Sequence, residues 1–180
     1  MKPRATKTIL MLVFASLLVL IPSGTGSWAG GGVYYVAMSG RDSNPGTDIA
    51  PFRTIKKGAA ALKPGDTLYV RTGTYFEALH GIPGGTSWND PVTVAAAPGD
   101  SVTLLAPLGS AQVISFAAPA QRYIIIDGLV IDGSDAQEQV VKITQDHIRI
   151  QNSEIRNLSR RGVGIQVMAG DSSGAMGCCD

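Results

Sequence analysis

The residues best equipped for chemistry are cations isolated among aliphatic side chains. Lys142 lies between Val141 and Ile143, and Arg149 between Ile148 and Ile150. In an alternating strand such a cation faces away from its neighbours, and with a lowered pKa it can take a proton from a bound substrate. The plainer reading of each is a solvated surface charge. Trp88, within Thr86-Ser87-Trp88-Asn89-Asp90, is either a flat ring for stacking on a sugar or a local packing residue. Arg160 and Arg161 are adjacent loop cations, open to an anionic chain or to water.

Oxygen donors fall in two groups. Asp42, Asn44 and Asp48 place polar oxygens at alternate positions of one loop, as some calcium loops do, but the closing Glu of an EF-hand is missing and Pro45 turns the chain. Asp132 and Asp135, near Gly133, invite a second calcium reading, although Asp-Gly is also ordinary turn chemistry. His80 and His147 are far apart and lack the cysteine or carboxylate spacing of a zinc site. No Ser-His-Asp arrangement, phosphate loop or dinucleotide fingerprint is visible.

What positions these residues is a repeat. Residues 123–133 (YIIIDGLVIDG) and 147–157 (HIRIQNSEIRN) align without a gap at an offset of 24, and Val141 and Ile143 fall on Ile165 and Val167 at the same offset. Short β-branched runs with turn residues between them, at a period in the twenties, signal a solenoid whose units bury their apolar rows against one another. Gly128 matches Asn152 and Gly133 matches Asn157, so the same left-handed bend is expected twice. His147 matches Tyr123 and reads as a strand-edge residue. Three short runs per unit predict a right-handed parallel β-helix with three strands per coil. An antiparallel sandwich is the alternative, but it has no reason to hold register over two units.

Upstream, Pro51 marks a possible helix start. Phe52, Ile55, Ala59 and Leu62 then share one helical face until Pro64-Gly65. Such a helix would cover the open end of the first coil. Residues 1–29 read as a signal peptide: Lys2, Arg4 and Lys7, then an apolar run from Ile9 to Ile21, then small residues predicting cleavage after Ala29. An uncleaved membrane anchor is the alternative. The expected organisation is signal peptide 1–29, β-helix 30–167 (cap and first coils 30–105, regular coils 106–167) and an irregular Gly/Ser tail 168–180.

A net charge of +1 and 16% charged residues argue against a nucleic-acid partner. Cleavage of the leader leaves no membrane segment, and oligomeric state cannot be read from the sequence. The two cysteines, Cys178 and Cys179, are adjacent near the end, so stability must come from stacking rather than disulfides.

Four stretches carry a family resemblance: Tyr35-Val36, then Ser39 to Thr47 (SGRDSNPGT), then Pro51 to Ile55 (PFRTI), then Lys63 to Tyr75 (KPGDTLYVRTGTY). Together they resemble the opening of secreted bacterial right-handed β-helix proteins of the pectate-lyase-like superfamily. The resemblance implies that fold, secretion, and a lineage of polysaccharide lyases acting on pectin or alginate alongside members of no known activity.

In such a lyase a base removes the proton next to a uronate carboxylate while a cation, commonly calcium, neutralises that carboxylate. Lys142 or Arg149 would be the base, with Trp88, Arg160 and Arg161 meeting the acidic polysaccharide. The other expectation is a non-catalytic extracellular or cell-surface module. The resembling proteins run through several more coils, whereas the pattern here stops after Val167. That suggests an inactive fragment of a longer enzyme, unless the tail folds over the last coil as a minimal cap.

Overall fold

Runs of four or five residues that alternate aliphatic with polar can bury only one face, and here each run finds its partner one coil away. The computed structural model describes residues 31–168; the expected leader, its expected cleavage after Ala29, and Cys178 and Cys179 lie outside them. The order is β1 (Val33–Val36), α1 (Ile55–Ala61), β2 (Thr67–Val70), β3 (Gly73–Phe76), β4 (Val92–Ala96), β5 (Val102–Leu105) and β6 (Gln112–Phe116). It continues with β7 (Ile124–Asp127), β8 (Leu129–Asp132), β9 (Gln139–Ile143), β10 (Ile148–Gln151), β11 (Glu154–Arg156) and β12 (Val163–Val167).

These strands form three sheets: A in the order β1-β2-β4-β7-β10, B in the order β3-β5-β8-β11, and C in the order β6-β9-β12. All pairing between these strands is parallel. The described residues therefore form an all-β parallel β-helix of about four coils with one short helix among them.

The register is the one the repeat predicts. Ile148 lies on Ile124 and Ile150 on Ile126, Ile155 on Ile131, and Ile165 on Val141 with Val167 on Ile143. Ile124, Ile126 and Ile131 are fully buried. Stacking also extends into the first half, where the sequence spacing looks irregular: Leu68 lies on Val94, Val94 on Ile126, and Leu104 on Ile131. Loops of different length absorb the irregularity, so strands stay in register while the sequence period does not.

One of the two expected bends is made twice. Gly128 (φ 70°) and Asn152 (φ 49°) both occupy the left-handed region. The second pair corrects the expectation, because Asn157 is left-handed (φ 50°) and Gly133 is not among the positive-φ residues. Gly133 is needed for close approach instead: a Cβ there would sit 2.2 Å from the Asn157 carbonyl oxygen and 2.3 Å from Val140 Cγ2.

The helix also starts later than Pro51. Thr54 is its N-cap, with its hydroxyl accepting from Lys57 N at 3.1 Å. Its first free N–H groups, on Ile55 and Lys56, donate to the two oxygens of Glu77 at 2.9 and 2.8 Å. The predicted face holds, since Phe52, Ile55, Ala59 and Leu62 are all buried. A Cβ on Gly58 would lie within 3 Å of Leu68 and Val36 side chains, so α1 rests directly on the first apolar layer of sheet A.

Columnar burial makes a sharp contrast on one strand. Ile124→Ala should cost about 3 kcal/mol, the usual range for emptying a packed aliphatic site, while outward Ile125→Ala should cost about 1 kcal/mol or less. Urea unfolding of the two variants measures the difference, and equal losses would contradict the columns.

Candidate functional site

Trp88 and Arg149, 61 residues apart in sequence, meet outside sheet A. The Arg149 guanidinium lies 4.6 Å from the centre of the Trp88 ring, within cation–π range. Arg149 is outward because its neighbours Ile148 and Ile150 pack against the core. Trp88 reaches it from the loop leading into β4. Its ring stands edge-on to Tyr123, with centroids 5.5 Å apart and planes at 88°, and 6.0 Å from His147. Tyr123 and His147 stack at 4.3 Å. Trp88 keeps 40% of its surface exposed.

Backbone strain holds this cluster. Tyr123 (φ 53°) and His147 (φ 58°) both sit in the left-handed region, which is costly for a bulky side chain. The same cost is accepted on two successive coils, and its result is a pair of rings beside Trp88. Asp146 ties down the rim. Its carboxylate accepts from Arg122 at 2.6 and 2.8 Å and lies 3.2 Å from His147 Nδ1. The hydrogen bond from His147 is the largest influence on the Asp146 carboxyl; desolvation opposes it, and with the Arg122 and His147 charges the net shift is below the ordinary value.

The remaining predicted residues do not join this cluster. Lys142 lies on sheet C, between Ser115 and Gln166 in register, so the two candidate bases belong to different sheets. Arg160 and Arg161 are exposed in the turn before β12. Asp42 is a staple for the cap: it accepts from Arg53 N at 3.0 Å and from Thr54 N and Thr54 Oγ1 at 2.9 Å each. Burial pushes its pKa up, but the Thr54 and Arg53 hydrogen bonds and nearby Lys57 outweigh it and leave the carboxyl below its ordinary value.

Asn44 donates to the Pro51 carbonyl at 2.8 Å, and Asp48 pairs with Arg71. Asp135 offers its backbone carbonyl to Gln137 at 3.5 Å. Among the described residues no three or more His, Cys, Asp or Glu side chains converge as a metal set. His80 lines a hollow of about 320 Å³ between α1 and residues 78–82, together with Lys56, and its Nε2 lies 3.4 Å from the Gln112 carbonyl. The Tyr75 hydroxyl donates to the Arg71 carbonyl at 2.9 Å, and burial, with Glu77 and Asp100 nearby, pushes its phenol up to about 12.

The sequence reading missed the roles of Tyr123 and His147. The signal the sequence offers is their alignment at one repeat position, which by itself reads as a strand edge and not as a stacked pair.

Residues 38–81 match the family described as "Protein of unknown function (DUF1565)". The chain is 31% identical over 142 residues to an uncharacterized protein, YwoF, of Bacillus subtilis (strain 168), covering 72% of this chain and 30% of that protein. Among solved structures it is similar to pectate lyase Pel9A, with 21% identity, TM-score 0.51, and coverage of 67% of this chain and 32% of that one. It is also similar to a GH136 lacto-N-biosidase from Eubacterium ramulus, with 16% identity, TM-score 0.61, and coverage of 76% and 30%.

The chain thus spans about a third of the length of each of these proteins. The class defined by the fold and its structural neighbours is the parallel β-helix. The structures that share this fold include a lyase and a biosidase, so the scaffold does not dictate one chemistry.

Asp132 has a structural role that can be tested by pH. Its carboxylate is buried and accepts from Ser134 N and Oγ, Arg156 Nε and Asn157 Nδ2, at 2.7 to 3.2 Å. Desolvation raises its pKa, but these donors together outweigh it and the net shift is downward. A depressed folded pKa contributes stability in full above the unfolded value of about 4, and the contribution disappears as pH falls through the folded value. Asp132→Asn should therefore be less stable than the parent at pH 7 by about 1–3 kcal/mol. The gap should narrow steadily below about pH 4. Denaturant midpoints from pH 2 to 7 check this, and a gap independent of pH would refute it.

Proposed function

We propose that this chain is an exported β-helix that binds an acidic polysaccharide of the pectate or alginate kind on the Trp88 platform. The observation that carries the reading is the Arg149 guanidinium held 4.6 Å from the Trp88 ring. The guanidinium covers one face of the indole and turns its outer N–H groups toward a sugar carboxylate, while the exposed remainder of Trp88 offers apolar surface to the C–H side of a sugar ring. Tyr123 and His147 extend the apolar face, and strain in their backbones keeps it preformed. Similarity in structure to a pectate lyase supports a glycan as ligand.

Binding is the favoured activity because the aromatic rings and Arg149 together make a ligand surface on sheet A, whereas Lys142 stands apart from it on sheet C. Arg149 is engaged with an aromatic ring rather than poised among carboxylates. The acidic polysaccharide is then a ligand, and β-elimination is the outcome to be tested against it.

Calorimetric titration of polygalacturonate and alginate oligomers into the purified chain should detect binding. Trp88→Ala should weaken it by about tenfold, the worth of one cation–π and stacking contact. Unchanged affinity in that variant would remove the platform from the reading. Release of unsaturated uronides, followed by absorbance, would replace a binding module with a lyase.

Export is supported by the basic, apolar and small-residue segments of residues 1–29. Sequencing the N-terminus of the product from an exporting host should give Gly30 as the first residue. A start at Met1 on a membrane-bound species would instead mean a retained anchor.

A further inference from the structure

We infer a second saccharide subsite on the same outer face of sheet A, formed by Tyr35, Tyr69 and Arg71. It sets the length of glycan that the protein grips. This inference rests on the saccharide-binding reading of the Trp88 platform and adds to it a far anchor.

The face is defined by register. Thr67, Thr93, Ile125 and Arg149 form one outward row across β2, β4, β7 and β10. Tyr35, Tyr69, Ala95 and Asp127 form the next outward row, across β1, β2, β4 and β7. The positions between them, Leu68, Val94 and Ile126, are fully buried, so the two rows face out together. Tyr34 packs against the core, whereas Tyr35 and Tyr69 lie on the outer side and pack against each other at 5.8 Å.

The second cluster repeats the chemistry of the first. The Arg71 guanidinium lies 5.7 Å from the centre of the Tyr35 ring. Arg71 is paired with Asp48, but both side chains are well exposed, at 41% and 60%. Such a pair contributes little and yields readily to a competing carboxylate. Between the two aromatic clusters lie Thr67, Thr93 and Ile125, all partly exposed, with Ala95 buried among its neighbours. Asp127, the acid on this face, is already engaged by Gln151 and Asn152 at 2.9 Å each.

Tyr35 and Arg149 are four strands and two residues apart, a diagonal of about 20 Å at ordinary strand and residue spacings. A pyranose ring in a linear glycan advances by roughly one strand spacing, so about four rings bridge the two guanidinium–aromatic pairs. A dimer can occupy one cluster only. A longer acidic chain engages both, and its second contact becomes intramolecular.

The test is titration of oligogalacturonates of two, four and six units into the full chain. Affinity should rise at least tenfold between two and six units. Tyr69→Ala, and separately Arg71→Gln in case the first disturbs folding, should cut hexamer affinity by about tenfold and erase most of the dependence on length. Trp88→Ala should weaken every oligomer. If two and six units bind equally, or both Tyr69→Ala and Arg71→Gln leave hexamer affinity intact while Trp88→Ala lowers it, the second subsite is wrong and the platform stands. If no oligomer binds, both readings fall.

Discussion

Parallel stacking of aliphatic side chains at a remove of one coil is the constraint on which every other feature depends. Each inward Ile, Leu or Val has its equivalent on the neighbouring coil as its main partner, as in the column Leu68, Val94, Ile126 and Ile150. The column fixes register, because a slip of one residue would turn every apolar side chain outward. Register in turn fixes which side chains share an outer face. The alignment of Thr67 with Arg149, or of Tyr35 with Tyr69, follows from what the buried residues require.

A solenoid of this kind must turn its corners without leaving polar groups stranded. Here the corners use left-handed residues and short side chains that bond to the coil next door. Asp127 accepts from Gln151 and Asn152, and Asp132 from Arg156 and Asn157. Asp132, which looks available for a metal in the sequence, is thus consumed in joining one coil to the next. At the N-terminal end, Asp42 holds residues 53 and 54 while Glu77 satisfies the first turn of α1. The cap is pinned to the first coil by carboxylate hydrogen bonds as well as by the apolar face of the helix.

The outer face of sheet A departs from this economy. Tyr123 and His147 accept unfavourable backbone angles at positions where Asn or Gly would be easier, and what they gain is a ring stack under an exposed tryptophan. Corners elsewhere use Asn152, Asn157 and Gly128 for the same backbone region. Strain retained at two equivalent corners, and spent on surface aromatics, marks this edge as the part of the molecule shaped by something other than folding.

The sequence alone determined the coil. An offset of 24 residues, with Ile124 over Ile148 and Val141 over Ile165, was enough to predict strand number, direction and register, because periodic burial is written directly into residue type. It also located the capping face from Phe52 to Leu62. Its candidate site residues were legible only one at a time.

Trp88 and Arg149 gave no sign of belonging together, since the contact depends on how far the loop before β4 folds across two later coils. Asp42 and Asp132 looked like metal ligands because a sequence shows oxygen donors and not the backbone N–H groups and side chains that already occupy them. Gly133 and Asn157 looked alike because both tolerate the left-handed region, yet only packing against Val140 and the Asn157 carbonyl decided which property of glycine was used. Local residue type fixes what repeats every coil; contacts between loops of unequal length are fixed only when the coils are stacked.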